Sequence, residues 1–283
     1  MQAEAPFPIP GVNGTPYLLP KPTKDKQGLM TVVLDMDETL IHSCFVGCSE
    51  SENKAQEIAE GRPPCDFFLD VCDGVAVYIR PGLSHFLKLL NQLFEVVVFT
   101  AGEQDYADAV LDYVDPEGYI SYRLYRESTC GCRGLNYVKD LHHLGRDMAK
   151  IVLLDNNMVS MVATPDNCIL IDDFISDKTD RELPLVASIL MDLNELDDVR
   201  PCLRDAFSIR ETIDERFFFG QKAEEEDDED DGSSEQESGD ETRVSFSASS
   251  MSALSSSQNS ESSTPPDADG GVDEIYLDRL TIH

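Results

Sequence analysis

Four short apolar, largely β-branched runs recur along the chain, and three of them stop abruptly at polar residues able to do chemistry. Thr31-Val32-Val33-Leu34 ends at Asp35, Glu95-Val96-Val97-Val98-Phe99 at Thr100, and Ile151-Val152-Leu153-Leu154 at Asp155-Asn156. The fourth is Cys168-Ile169-Leu170-Ile171. Such runs suit strands buried on both faces of a parallel sheet. Between them, Leu83, Phe86, Leu87, Leu90 and Leu93 fall on one face of a helix over 82–94, and weaker helical patterns cover 103–114 and 181–196. Strands alternating with helices predict an α/β fold, a central parallel sheet flanked by helices.

One stretch breaks the alternation. Two β-rich runs, Asp66 to Val71 and Val75 to Ile79, are joined at Asp73-Gly74, a strong hairpin signal. They predict a β-hairpin inserted after the first strand, close enough to form a flap over its end. The polar segment 46–64 before it reads as loop.

Composition divides the rest. Residues 1–28 carry repeated prolines and read as an extended arm, 29–212 as the globular domain, and 213–283 as an acidic, serine-rich tail too poor in apolar residues to fold. The tail closes on a short apolar segment, 272–283, which is either an inert terminus or a segment that docks on its own catalytic domain or on a partner while its tether sets the effective concentration. Net charge is −33, and the central segment is acidic in its own right. Proteins that bind nucleic acid do so largely by neutralising phosphates with Lys and Arg, so direct DNA or RNA binding is not expected. No run approaches the roughly 18 apolar residues of a membrane span, and no signal-peptide core precedes the domain. The expectation is an intracellular protein, nuclear or cytoplasmic, with its eight cysteines reduced. Cys130-Gly131-Cys132 stands without a second ligand pair at zinc spacing, and His142-His143 is a weak signal. Neither is taken as a metal site.

In an open parallel sheet, ligands bind outside the carboxyl ends of the strands. Asp35, Asp37, Thr100, Asp155 and Asn156 should therefore converge at one edge. A D-x-D pair there puts two carboxylates near one spot, one serving as nucleophile and the other, partly protonated, as general acid and then base. Crowded carboxylates call for a cation, and hard oxygen ligands suit magnesium. Thr100 offers a hydroxyl to a phosphate oxygen, and Lys139 a positive charge. Each aspartate alone could merely cap a turn, but capping does not require the set.

These residues sit in recognisable surroundings. Val32-Val33-Leu34-Asp35-Met36-Asp37-Glu38-Thr39-Leu40-Ile41-His42 resembles the haloacid-dehalogenase superfamily, and specifically its small carboxy-terminal-domain phosphatases and Dullard-like members. The resemblance continues through Tyr78-Ile79-Arg80-Pro81-Gly82, Phe94 to Ala101, Leu124 to Ser128, Asn136 to Leu141 and Leu153 to Asn156, in order. It implies that Asp35 accepts the phosphoryl group, that Asp37 is the acid/base, and that Thr100 and Lys139 hold the phosphoryl group. It implies magnesium ligands from Asp35, the main-chain oxygen of Asp37 and Asn156, with Asp155 beside them. Arg126 corresponds to an arginine that holds substrate, and Phe45 with Tyr106 to aromatics that accept a proline. Two departures are Glu103, where an apolar residue is usual, and Leu135, an extra residue after Gly134.

The resemblance thus implies a magnesium-dependent phosphatase of phosphoserine and phosphothreonine proteins working through a phospho-aspartyl intermediate. RNA polymerase II C-terminal-domain-type phosphopeptides are one candidate substrate. Two other readings compete. A catalytically silent scaffold of this fold should have lost Asp35 or Asn156, and both are present. A small-molecule phosphohydrolase usually carries a larger lid than the segment between Phe45 and Arg80 allows.

Overall fold

A computed structural model describes residues 16–219. The expectations for residues 1–15, for the acidic tail from 220 onward and for the segment 272–283 lie outside the described residues. In chain order the elements are β1 (Thr31–Leu34), β2 (Ile41–Phe45), α1 (Glu50–Glu60), β3 (Phe67–Leu69), β4 (Val75–Ile79), α2 (Leu83–Leu93), β5 (Glu95–Phe99), α3 (Gln104–Val114) and β6 (Tyr122–Leu124). They continue with β7 (Cys130–Cys132), β8 (Leu135–Val138), β9 (Ile151–Asp155), β10 (Cys168–Leu170), α4 (Glu182–Asn194), α5 (Arg200–Phe207) and α6 (Ile209–Asp214).

The four apolar runs are strands of one five-stranded sheet in the order β10-β9-β1-β5-β6, parallel throughout. Val32, Val33 and Leu34 of β1 are wholly buried, as are Val96, Val97 and Val98 of β5. Burying such a side chain contributes about 1.5–3 kcal/mol. From β1 the chain builds outward through β5 and β6, then returns to add β9 and β10 on the other side. The order therefore reverses at β1, and at such a switch point a crevice opens beyond the strand ends. Helix α2 buries Leu83, Phe86, Leu87 and Leu90 against α4 and β5. No helix among the described residues is long and apolar enough to cross a membrane.

The hairpin is present and belongs to a larger insertion, a three-stranded antiparallel sheet in the order β2-β4-β3. At its turn Cys72, Asp73 and Gly74 all take positive φ. A Cβ on Gly74 would lie 2.4 Å from the Cys48 carbonyl oxygen, so only glycine closes this turn against the neighbouring loop. Arg80, at the end of β4, fastens the insertion to the body. Its guanidinium is fully buried and donates to the Asp180 carboxylate at 2.9 and 2.8 Å. It also donates to the carbonyls of Thr39 and Asp172, each at 3.0 Å.

One expectation needs correcting. Residues 46–64 are not all loop, because α1 occupies Glu50–Glu60 between β2 and β3. Ser49 and Glu52 form a capping box at its start, and Gly61 closes it in the left-handed conformation. The helix buries Asn53 and Glu57 instead of an apolar stripe. Glu57 accepts from Asn53 at 2.9 Å and from the Tyr78 hydroxyl at 3.0 Å, so a polar contact replaces the periodicity that betrays most helices. The described end of the N-terminal arm packs against the domain. Leu19 is buried, Leu18 N donates to the His143 carbonyl at 2.9 Å, and Lys26 donates to Asn91 Oδ1 at 2.8 Å.

Candidate active site

The loop after β1 winds tightly because Glu38 takes a positive φ of 58° and its amide donates back to the Ile41 carbonyl at 2.7 Å. This bend aims Asp35 and Asp37 into one cavity. Asp35 is held from two sides: the Thr39 hydroxyl donates to Oδ2 at 2.9 Å, and Lys139 Nζ donates to Oδ1 at 2.5 Å. Lys139, which follows β8, also donates to Asp155 Oδ2 at 2.7 Å, and the Asn157 amide donates to Asp155 Oδ1 at 2.8 Å. One buried ammonium thus bridges two carboxylates from different strand ends. Burial alone would lower the Lys139 pKa, but Asp155 and Asp35 outweigh it and hold the ammonium charged. Burial, reinforced by the Asp35 charge, pushes Asp155 up against the pull of Lys139.

Asp37 differs from its neighbour. It is bonded to a phenol instead of a cation, since the Tyr106 hydroxyl donates to its Oδ1. Burial is the largest influence on it, and with the Asp35 charge it pushes the Asp37 carboxyl up to about 7, while Tyr106 pulls the other way. Burial and then Asp37 push Tyr106 well up, keeping it a donor. The two acids of the D-x-D pair therefore occupy different environments.

Thr100, at the end of β5, is buried, and its hydroxyl oxygen accepts from the Gly102 amide at 2.9 Å. Phe45, at the end of β2, lies 60% exposed at the rim and packs against Tyr106 with ring centroids 5.3 Å apart. Arg126 donates from Nη1 to Glu103 Oε1 at 2.8 Å and from Nε to the Ala101 carbonyl at 2.6 Å.

All nine residues singled out from the sequence line this one cavity of about 560 Å³: Asp35, Asp37, Phe45, Thr100, Tyr106, Arg126, Lys139, Asp155 and Asn156. Three contributors had not been singled out as site residues. Thr39 supports Asp35, Glu103 occupies Arg126, and Asp173 Oδ1 accepts from Asn156 Nδ2 at 2.9 Å. Thr39 lies within the quoted motif, whereas nothing in the sequence ties Asp173 to a site.

The donor set is suited to a hard cation. With the Asn156 amide nitrogen engaged by Asp173, its oxygen faces the Thr39 hydroxyl at 3.4 Å, on the side of Asp35. The oxygens gathered there are carboxylate and amide, and Lys139 offsets only part of the charge of Asp35, Asp155 and Asp37. An all-oxygen, acid-rich site fits magnesium.

Comparison with known proteins identifies a phosphatase family. The family model described as NLI interacting factor-like phosphatase matches residues 30–200. A Dictyostelium discoideum protein named "Probable C-terminal domain small phosphatase" is 41% identical over 179 residues, covering 63% of this chain and 55% of that protein. The human "Carboxy-terminal domain RNA polymerase II polypeptide A small phosphatase 1" is 39% identical over 201 residues, 69% of this chain and 71% of that one. The human "CTD small phosphatase-like protein" is 39% identical over 198 residues, 68% and 66% of the respective chains. This chain therefore spans little more than half of the first of these relatives and about two thirds or slightly more of the other two.

Proposed function

The chain belongs to the family of NLI interacting factor-like phosphatases, and from that premise we propose that it is a magnesium-dependent phosphatase of phosphoserine and phosphothreonine proteins acting through a phospho-aspartyl intermediate at Asp35. The observation that carries this reading is the unlike pair at the end of β1. Asp35 lies against a buried ammonium and a hydroxyl donor, while Asp37 has a phenol partner and is pushed up to about 7. One acid is arranged to attack and the other to hold a proton near neutral pH.

The reaction runs in two balanced steps. An Asp35 oxygen attacks phosphorus, the ester P–O bond breaks, and Asp37 gives its proton to the departing serine or threonine oxygen. Asp37 then takes a proton from a water that attacks the same phosphorus, the acyl-phosphate P–O bond breaks, and inorganic phosphate leaves. Asp35 is ionised again and Asp37 protonated. Thr100 and Lys139 hold the phosphoryl oxygens, with Lys139 offsetting their charge. Magnesium, held by Asp35, the Asp37 main-chain oxygen and Asn156 with Asp155 beside them, would stabilise charge on those oxygens.

The substrate reading rests on the rim. Phe45 stands exposed beside Tyr106, an aromatic pair able to grip a residue next to the phosphorylated one, proline included. One relative is an RNA polymerase II C-terminal-domain small phosphatase by its printed name, and polymerase-tail-type phosphopeptides are the substrate to try first. The test is turnover of a phosphoserine peptide library by the full chain, with and without EDTA. Release of phosphate from peptides, far faster than from glucose phosphate and restored by magnesium after chelation, is expected. Full activity in chelator would overturn the metal assignment, and equal kcat/KM for glucose phosphate would overturn the substrate class.

A further inference from the structure

A second cluster of metal-ligating side chains lies outside the cavity. Cys130 opens β7, Asp140 follows Lys139 beyond β8, and His143 lies in the short 3₁₀ turn Leu141–Leu144. The chain makes a hairpin in between, so residues separated by up to thirteen positions face each other. Their donor atoms, the Cys130 Sγ, an Asp140 carboxylate oxygen and a His143 ring nitrogen, all fall within 4.8 Å of one another.

Asp140 uses Oδ1 locally, accepting from the His142 amide at 3.0 Å and lying 2.8 Å from His142 Nδ1. That leaves Oδ2 facing His143 Nε2 at 3.5 Å, about the spacing between two ligands on one tetrahedral zinc, whose bonds are roughly 2.0–2.3 Å. The Cys130 thiol is buried; it meets the Val138 carbonyl at 3.5 Å and a backbone hydrogen bond from Asp140, and metal binding would replace the first of these. Cys132 is half-buried two residues along the same strand, across a register irregularity and outside the 4.8 Å that encloses the other three donors. It is the nearest candidate in sequence for a fourth ligand.

We propose that Cys130, Asp140 and His143 form a structural zinc site, separate from the magnesium cavity, that clamps the β7–β8 hairpin to the turn behind it. A thiolate, an imidazole and a carboxylate suit zinc and its late first-row neighbours and not magnesium. The placement gives the clamp a purpose. Lys139 is the residue immediately before Asp140, and Arg126 begins the turn Arg126–Ser128 that leads into Cys130. Fixing the hairpin fixes the backbone on both sides of it, including two residues that line the cavity. Cys130, Asp140 and His143 are positioning residues and touch no substrate.

Cobalt(II) titration of the full-length chain tests the site without relying on activity. A thiolate-to-cobalt charge-transfer band should grow to one equivalent, collapse on addition of zinc, and persist in Asp35→Asn, which alters only the other centre. It should be lost in Cys130→Ser and in His143→Gln. His143 is part-exposed, so its variant decides the matter should Cys130→Ser fail to fold. Zinc should also raise the melting temperature of the wild type and not that of His143→Gln. Absence of a charge-transfer band in the wild type, or its survival in His143→Gln, would overturn the proposal.

Discussion

The Tyr106 hydroxyl donates to Asp37 Oδ1 across 69 positions of sequence, so the same ring that packs against Phe45 at the rim of the cavity also orients the Asp37 carboxyl. Its hydrogen bond favours the ionised form of Asp37. Tyr106→Phe keeps the ring and removes the donor. The alkaline limb of the pH profile of kcat/KM should move to higher pH, with kcat near neutrality falling by up to about tenfold, the scale of one hydrogen bond to a charged group. An unmoved limb would mean that Tyr106 serves the rim alone.

Asp37 also leaves a mark on stability. Its carboxyl titrates at about 7 in the folded chain against an ordinary 3.8. Below both values each state is protonated and the folded state suffers no penalty. Between them the unfolded chain has lost a proton that the folded chain keeps, so stability falls as pH rises from about 4 to about 7. In metal-free protein the loss should be on the order of 1–4 kcal/mol. Urea unfolding at about pH 5 and about pH 8 measures it, and Asp37→Asn should flatten the difference. Equal slopes in both proteins would contradict the buried, proton-holding Asp37.

The buried Arg80–Asp180 pair gives a structural prediction. Asp180→Ala leaves the guanidinium buried with only two carbonyl acceptors, and breaking a buried pair from one side typically costs about 3–5 kcal/mol. Because Arg80 joins the β2-β4-β3 insertion to the Thr39 carbonyl beside the site, activity should fall together with stability. Denaturant midpoints and kcat/KM measured side by side test this, and a variant as stable as wild type would contradict it.

Glu103 occupies one edge of the Arg126 guanidinium in an exposed pair. Exposed pairs contribute at most about 1 kcal/mol, so Glu103→Ala should leave stability unchanged. Freeing Arg126 for a phosphopeptide should lower KM by up to about fivefold at constant kcat. An unchanged or raised KM would show that Arg126 does not meet the substrate.

Much of this architecture was legible in the sequence because burial on both faces writes itself as uninterrupted apolar runs. β1, β5, β9 and β10 announce themselves that way, and the polar residues ending three of them locate the cavity. Helix α1 was not legible because it docks through Asn53 and Glu57, which leave no apolar period. Strand β6, three residues long with two of them only half-buried, carries too little pattern to register. The link from Asp173 to Asn156, the phenol on Asp37 and the meeting of Cys130 with His143 are products of tertiary folding. No local spacing encodes them.

The central claim is that phosphate passes through a covalent bond to Asp35. Quenching the wild-type chain with borohydride during steady turnover of a phosphoserine peptide reduces an acyl phosphate to an alcohol, and peptide mass spectrometry then reads position 35. The account predicts homoserine at Asp35 in wild type, dependent on substrate and on magnesium. Asp35→Asn should stay folded, show no such product and lose well over nine tenths of its kcat. Unmodified Asp35 in an enzyme caught turning over, or reduction at another carboxylate, would contradict it.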